Sequence, residues 1–471
     1  MRRLRPMDLT LTAMFCLALA AGCTAAPRPC PEPETARAVP SPSAPGLLPP
    51  VPTKLAPKPV APAGPVRSDR PKELGRVTVA AVGDVLPHVS VKVSAAAANA
   101  KDEKGASTNN DGYDALYADV AKDLQAADFA IANLETPVSP SGDAGNIEYH
   151  FNALPVMLAS LKASGFKLVS FANNHVMDQG RKGFDETLAE LDKAGLPYYG
   201  AGRTQQEAAK GLRLEKNGVK VAFLAAADFI NQSHHLSADP KVSHVNKMDE
   251  PAAMVEAVKA AREDSDFVIV SLHWGVEYMP KPRESEVKVA HELFEAGADV
   301  ILGTHPHILQ PLEVYEAQDG RSCLVIYSLG NFISNQSYHY KFGISPDKVG
   351  DTRDGAILKF AIVKRDYGNG GVRAELADVS YLPVWTINER VAKGEGKEKK
   401  EAVTIRTVAM ERGLAAARAA LDAFVAGLPE KPSKEQKAEI VKLKKKVELY
   451  EKRRGIVEAR LGEGFAAEHL P

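Results

Sequence analysis

The chain predicts an α/β fold whose strands are buried on both faces. Three observations carry that prediction. Short continuous apolar runs, rich in β-branched residues, recur at 77–82, 129–132, 168–172, 221–225, 267–272, 300–302 and 324–327. Most gaps between them have helical periodicity, at 113–127, 155–164, 182–193, 252–262 and 284–296. Polar residues cluster just after the apolar runs rather than within them. Apolar strands alternating with amphipathic helices make a sheet covered on both sides, with its chemistry at the carboxyl ends of the strands.

The elements follow in order. Arg2, Arg3 and Arg5 precede an apolar stretch ending near Ala21, an export signal over 1–22 that is too short to span a membrane. Leu19-Ala20-Ala21-Gly22-Cys23 is similar to a bacterial lipobox, which would make Cys23 the lipidated first mature residue. Fourteen of the 32 prolines then fall between Pro27 and Pro65. Such a stretch buries little and stays extended, so residues 23–75 read as a lipid-anchored tether. The globular domain begins at Arg76. Residues 94–111 read as a surface loop, and Asn217-Gly218 before Val219 as a hairpin turn, so part of the sheet is antiparallel. A further strand covers 356–363.

The character changes at Lys393. A charged segment, 394–400, leads to two expected helices at 404–427 and 433–461. Ser433 with Gln436 makes a capping box, and Ile440, Leu443, Val447 and Tyr450 form an apolar seam. That seam packs on the domain or on its own hairpin, with a protein partner as the alternative.

Bulk properties narrow the function. The 471 residues carry a net charge of −1, which gives no global attraction to nucleic acid. Cys16, Cys23, Cys30 and Cys323 have neither disulfide-framework nor zinc-ribbon spacing.

The chemistry lies in the residues after the strands: Asp84, Glu135, Asn173-Asn174-His175, His273-Trp274 and His305-Pro306-His307. Carboxylates, an amide and several imidazoles at the same end of successive strands can hold one or two divalent cations. Asp84, Glu135, Asn174, His273, His305 and His307 are the expected ligands. Mixed nitrogen and oxygen donors suit Mn, Zn or Fe better than Mg. The two histidines splayed by Pro306 can address neighbouring cations. Asp178 can orient His175. Asn173, Trp274 and Asn331 are assigned to substrate contact, with structural support the favoured role for Asn331. Arg181, Lys182, Lys281 and Arg283 lie just beyond these motifs.

AVGDVLPH, ANLETPVS, FANNHVMDQG, LHWGVEY, GTHPHILQP and YSLGNFI resemble, in order and spacing, the CapA family of capsule and poly-γ-glutamate synthesis proteins, a branch of the calcineurin-like metallophosphoesterases. The resemblance covers residues 77–363. It implies a four-layer αββα sandwich of metallophosphoesterase type over 76–392, with a helical extension over 393–471. It also implies a dinuclear site in which Glu135 bridges and His175 donates a proton to the leaving group. Two departures stand out: Leu86 occupies a position the superfamily gives to histidine, with His88 two residues on, and Glu135 replaces the usual bridging Asp. The function implied is synthesis of an anionic polymer by an exported, membrane-anchored lipoprotein. The centre would act either as a metal-dependent phosphoesterase or amide hydrolase, or as a non-catalytic polymer-binding scaffold.

Overall fold

The structure is a computed structural model that describes residues 71–143, 149–368, 371–393, 400–462 and 466–467. The export signal, Cys23, Cys30 and the tether up to residue 70 lie outside the described residues, as does most of the charged segment at 394–399.

In chain order the strands are β1 (Lys72–Val85), β2 (Phe129–Leu134), β3 (Leu168–Ser170), β4 (Tyr198–Tyr199), β5 (Ala201–Gly202), β6 (Leu212–Lys216), β7 (Val219–Ala227), β8 (His244–Val245), β9 (Phe267–His273), β10 (Val300–Thr304), β11 (Leu312–Glu316), β12 (Ser322–Ile326), β13 (Asn331–Ile333), β14 (Asp354–Asp366), β15 (Val372–Lys393), β16 (Lys400–Ala409) and β17 (Ala466–Ala467). The helices are α1 (Val89–Ala97), α2 (Asp114–Tyr117), α3 (Ala121–Gln125), α4 (Val156–Ala163), α5 (Gly180–Ala194), α6 (Gln205–Lys210), α7 (Pro251–Asp264), α8 (Glu284–Ala296), α9 (Met410–Ala426) and α10 (Lys434–Leu461).

Among the described residues two large sheets form. One runs β16-β15-β14-β1-β2-β3-β4, with β13 pairing β1 and β17 pairing β15. The other runs β11-β12-β10-β9-β7-β6. Alternation along the second sheet fixes the layers. Val221, Phe223, Phe267, Ile269, Val300 and Leu302 join the core shared with the first sheet. Ala222, Leu224, Val268, Val270 and Ile301 face the other way, against Val258 of α7 and Leu293 and Phe294 of α8. Phe184 and Leu188 of α5, with Leu158 and Leu161 of α4, join the core of the first sheet. The result is the α/β sandwich expected.

Asn217 and Gly218 both have positive φ (52° and 77°) and close the β6–β7 hairpin. Ser433 Oγ accepts from the Gln436 N–H at 3.2 Å, and Gln436 Oε1 accepts from the Ser433 N–H at 2.8 Å, so the capping box forms. Tyr450 is buried in the core, and a Cβ on Gly413 of α9 would lie 2.5 Å from its ring. Val447 and Tyr450 of the α10 seam therefore pack within the chain.

Three sequence expectations need correction. The residues at 404–409 are strand, not helix: β16 pairs antiparallel with β15, and β-branched Val403, Ile405 and Thr407 point inward at period two. The helical extension accordingly begins at Met410. The sheet begins at Lys72, four residues before the expected boundary, because exposed Lys72 and Glu73 pair with Asp366 and Arg365 through backbone alone. The helix expected over 113–127 is broken into α2 and α3. Near the break, Asp119 Oδ1 accepts from the Ala409 N–H (2.8 Å) and Arg412 Nε (3.0 Å), bonds to another element that local periodicity does not encode.

Two glycines let loops cross strand ends. A Cβ on Gly83 would lie 1.8 Å from the Gly330 carbonyl oxygen, and one on Gly303 would lie 1.9 Å from that of Tyr327. Both obstacles are backbone. Gly303→Ala should therefore destabilise the protein by roughly 3 kcal/mol. Gly455→Ala, on α10 with nothing within 4 Å of the new methyl, should stabilise by up to about 1 kcal/mol. Urea unfolding midpoints of the two variants check both signs.

Candidate metal centre

Parallel register gathers the polar residues at one rim. Asp84 pairs with Asn133 of β2 and Asn331 of β13. Glu135 follows β2, and Asn173, Asn174 and His175 follow β3. His273 ends β9, opposite Ala227 of β7 and Thr304 of β10. His305 and His307 follow β10. All these site residues are buried.

The donor atoms fall into overlapping sets. Asp84, Glu135 and His307 each bring one ligand atom within 4.8 Å of the others, and so do Glu135, His273 and His305. Glu135 belongs to both sets. Asn174 Oδ1 lies 2.9 Å from His273 Nε2, beside the second set. Glu277, His305 and His307 form a third group at the mouth, where Glu277 is exposed.

Neighbouring groups aim the donors. Asn133 Nδ2 donates to Asp84 Oδ1 at 2.8 Å and lies 3.3 Å from His273 Nδ1, which is 3.1 Å from Thr304 Oγ1. His307 Nδ1 lies 3.0 Å from Asp84 Oδ2 and 3.1 Å from Asn331 Oδ1. Both partners are acceptors, so Nδ1 carries the proton and Nε2 is left as the ligand atom. His305 and His307 have φ of 96° and 59°. Left-handed backbone at two non-glycine residues costs of order 1–3 kcal/mol each and is typical of a constrained site.

A cation fits this chemistry. Glu135 is 0 % exposed, and neither carboxylate oxygen has a hydrogen-bond partner. Its nearest imidazole nitrogens, His273 Nε2 and His307 Nε2, stand at 3.5 and 4.0 Å. His305 Nδ1 is likewise buried and unpartnered. Burying a carboxylate without compensation is costly. Without a cation, burial and then the Asp84 charge hold the Glu135 carboxyl well above the usual carboxylate range. Burial pushes His273 well below the ordinary imidazole value and His305 down to about 3. Neutral imidazoles are the ligand form.

Above the rim lies a cleft of about 810 Å³, lined in part by Phe151, His175, Glu277, Tyr278 and His307. His175 Nδ1 is 2.7 Å from Asp178 Oδ2, the orienting contact expected, and Asp178 Oδ2 also accepts from the Phe151 N–H at 2.8 Å. The Phe151 ring packs edge-on between His88 and His175, at 5.0 and 4.5 Å. His88 lines the cleft and does not replace the missing histidine: its Nδ1 lies 3.1 Å from the Leu86 carbonyl and 3.2 Å from the Asn335 N–H.

The substrate-contact assignments of Trp274 and Asn173 are corrected, and Asn331 takes the supporting role favoured for it. Trp274 is in the apolar core beneath the rim, and its Nε1 donates to the Tyr327 carbonyl at 3.0 Å. The Asn173 amide is engaged internally: Nδ2 donates to the Leu134 carbonyl (2.8 Å), and Oδ1 accepts from the His175 N–H (3.2 Å). Asn331 Nδ2 donates to the Thr352 carbonyl (2.9 Å) and to Gln336 Oε1 (2.9 Å), so this residue supports His307. Arg283 pairs with Glu286 and Asp228, and Arg181 with Asp185. Sequence reasoning assigned no role to Asn133 and Thr304. Their positions, next to an expected ligand on the same or the paired strand, were the available signal.

An α/β sandwich with carboxylate, amide and imidazole donors at its strand ends defines the metallophosphoesterase-like class. Residues 78–336 match the family described as bacterial capsule synthesis protein PGA_cap, and the chain belongs to that family. It is similar to the PGA biosynthesis protein CapA of Bacillus subtilis (strain 168), with 31% identity over 55% of this chain and 64% of the relative. It is also similar to the capsule biosynthesis protein CapA of Bacillus anthracis, with 29% identity over 57% and 62%. A probable polyglutamine synthesis accessory protein of Mycobacterium tuberculosis (strain ATCC 25618 / H37Rv) is 28% identical over 45% and 56%. The chain thus spans less than two thirds of the length of these relatives.

The pKa directions set a sign. Without a cation Glu135 holds its proton to higher pH than an ordinary carboxyl, whereas His273 and His305 lose theirs at lower pH than an ordinary imidazole. Divalent-cation binding must therefore release about one proton, and affinity should fall as pH is lowered. Titration calorimetry with Mn²⁺ in buffers of different ionisation enthalpy measures that proton. Glu135→Gln should abolish its release.

Proposed function

We propose that this chain works in the synthesis of a capsule-type anionic polymer at the bacterial envelope, through a divalent-cation centre held by Asp84, Glu135, Asn174, His273, His305 and His307. The observation that carries the reading is the buried carboxylate of Glu135, unpartnered and shared by both donor sets. Family membership supports the polymer, since the relatives are named for capsule or PGA biosynthesis. Manganese, zinc or iron suits the donors.

The chemistry proposed is hydrolysis of a phosphoester, or of an amide in the polymer. A bound cation would supply Lewis acidity toward a water and toward the oxygen of the scissile group. The protein contributes the rest. Asp178 holds His175 Nδ1, so Nε2 remains to protonate the leaving atom. Phe151 fixes the ring and keeps water from that side. One observation favours a weaker Asp84 side: Leu86 is buried and apolar where the superfamily has a ligand. A centre that binds polymer without turning it over is the reading this supports.

Placement at the envelope rests on the export signal and on Cys23 as a lipid anchor, followed by the proline-rich tether. No described helix is long and apolar enough to cross a membrane.

Two outcomes are expected. With Mn²⁺ or Zn²⁺ and a generic phosphodiester or γ-glutamyl polymer, the wild type should show turnover that His175→Ala lowers by roughly 10²–10⁴ and His305→Ala removes. Polymer retention without turnover would leave only the binding reading. In a lipid-modifying host, Cys23→Ala should move the protein from the membrane to the soluble exported fraction, read by fractionation.

A further inference from the structure

The C-terminal helix reaches the metal centre through a continuous buried path. Arg453, in the middle of α10, is 0 % exposed. Its Nε donates to Asp354 Oδ1 at 2.9 Å, Nη2 to Asp351 Oδ1 at 2.9 Å, and Nη1 to the Asp347 carbonyl at 2.8 Å. Arg460, on the same helix, also pairs with Asp351. These acceptors frame one short segment, the 3₁₀ turn Asp347–Arg353 and the first residue of β14. The Arg353 guanidinium pins that segment from another side, 4.3 Å from the Trp385 ring, with Nε donating to the Thr386 carbonyl at 2.8 Å.

The same segment carries an acceptor turned toward the centre. The Thr352 carbonyl accepts from Asn331 Nδ2 at 2.9 Å. That bond, with the one to Gln336 Oε1, settles which way the Asn331 amide points, leaving Oδ1 against His307 Nδ1 at 3.1 Å. With Nδ1 as donor, Nε2 of His307 is the ligand atom. Asp351 and Thr352 also line the cleft.

Docking of α10 does not require an arginine here. Tyr450, Val457 and Leu461 already bury its inner face. A guanidinium held in the interior by Asp354, Asp351 and the Asp347 carbonyl fixes geometry, since removing it strands the fully buried Asp354 carboxylate.

We propose that Arg453 is a positioning residue for the Asp84–His307 half of the metal centre. It fixes the 347–354 segment, the Thr352 carbonyl orients Asn331, and Asn331, together with Asp84, sets the tautomer and aim of His307. The inference rests on the metal-centre reading above. It assigns a site role to a helix outside the family-matched residues 78–336.

The test is Mn²⁺ titration of the full chain by calorimetry, below the unfolding transition of every variant. Arg453→Met should weaken binding about 10–100-fold, the usual effect of losing a residue that orients a ligand. Val457→Ala removes a buried group from the same helix without touching the path, and should change affinity less than twofold. Arg453→Lys keeps the charge, loses the fork and should fall between; it carries the test if Arg453→Met does not fold. Wild-type binding with an unaltered Arg453 variant would overturn this inference alone, as would Val457→Ala weakening binding equally. A wild type that binds no Mn²⁺ would overturn the centre and this inference with it.

Discussion

The structure turns on a pair of carboxylates buried where water cannot reach them. Asp84 has Asn133 and His307 as hydrogen-bond partners, but Glu135 has only imidazole nitrogens beyond hydrogen-bond geometry, at 3.5 and 4.0 Å. A charge so placed is tolerable only if it is neutralised, by a proton or by a cation. Much around it serves that requirement. The parallel strands bring imidazoles from the second sheet to carboxylates from the first. Gly83 and Gly303 let the loops cross without a clash. The left-handed turn at His305 and His307 presents both rings to the same space.

The centre is layered outward from the ligands. Asn133 and Thr304 settle the imidazole of His273, Asn331 settles that of His307, and Asp178 settles His175. The acceptors on Nδ1 of His307 and His175 fix their tautomers, so for these two rings the protein decides which nitrogen points inward. At the mouth, exposed residues such as Tyr149, Glu277, Tyr278 and Tyr338 meet the cleft.

How much of this was legible follows from what a sequence encodes. Apolar runs such as 267–272 announce strands because burial on both faces leaves no polar position. A histidine directly after such a run stands out for the same reason. The helix at 284–296 was readable to the residue, since amphipathic spacing and the sharp stop at Gly297 agree. Trp274 was misread because adjacency in sequence is not adjacency in space: after a strand, neighbouring side chains leave on opposite faces, and its face is the core. Asn173 was misread because its partner, the Leu134 carbonyl, is a backbone atom from another strand. The strand at 400–409 carried a signal in β-branched Val403, Ile405 and Thr407, but it runs without a loop into the helix that starts at Met410, and its pairing with β15 separates the two.

The position of β14 bears on how the family segment is to be understood as an object. Residues 78–336 contain Thr78–Val85 of β1 but not β14, which pairs antiparallel with β1 from Lys72 to Ala81. A fragment excised at those limits would leave the flank of its innermost strand as an open row of amide and carbonyl groups, and such an edge recruits other chains. The recurring unit recognised by comparison is thus smaller than the unit that can stand alone.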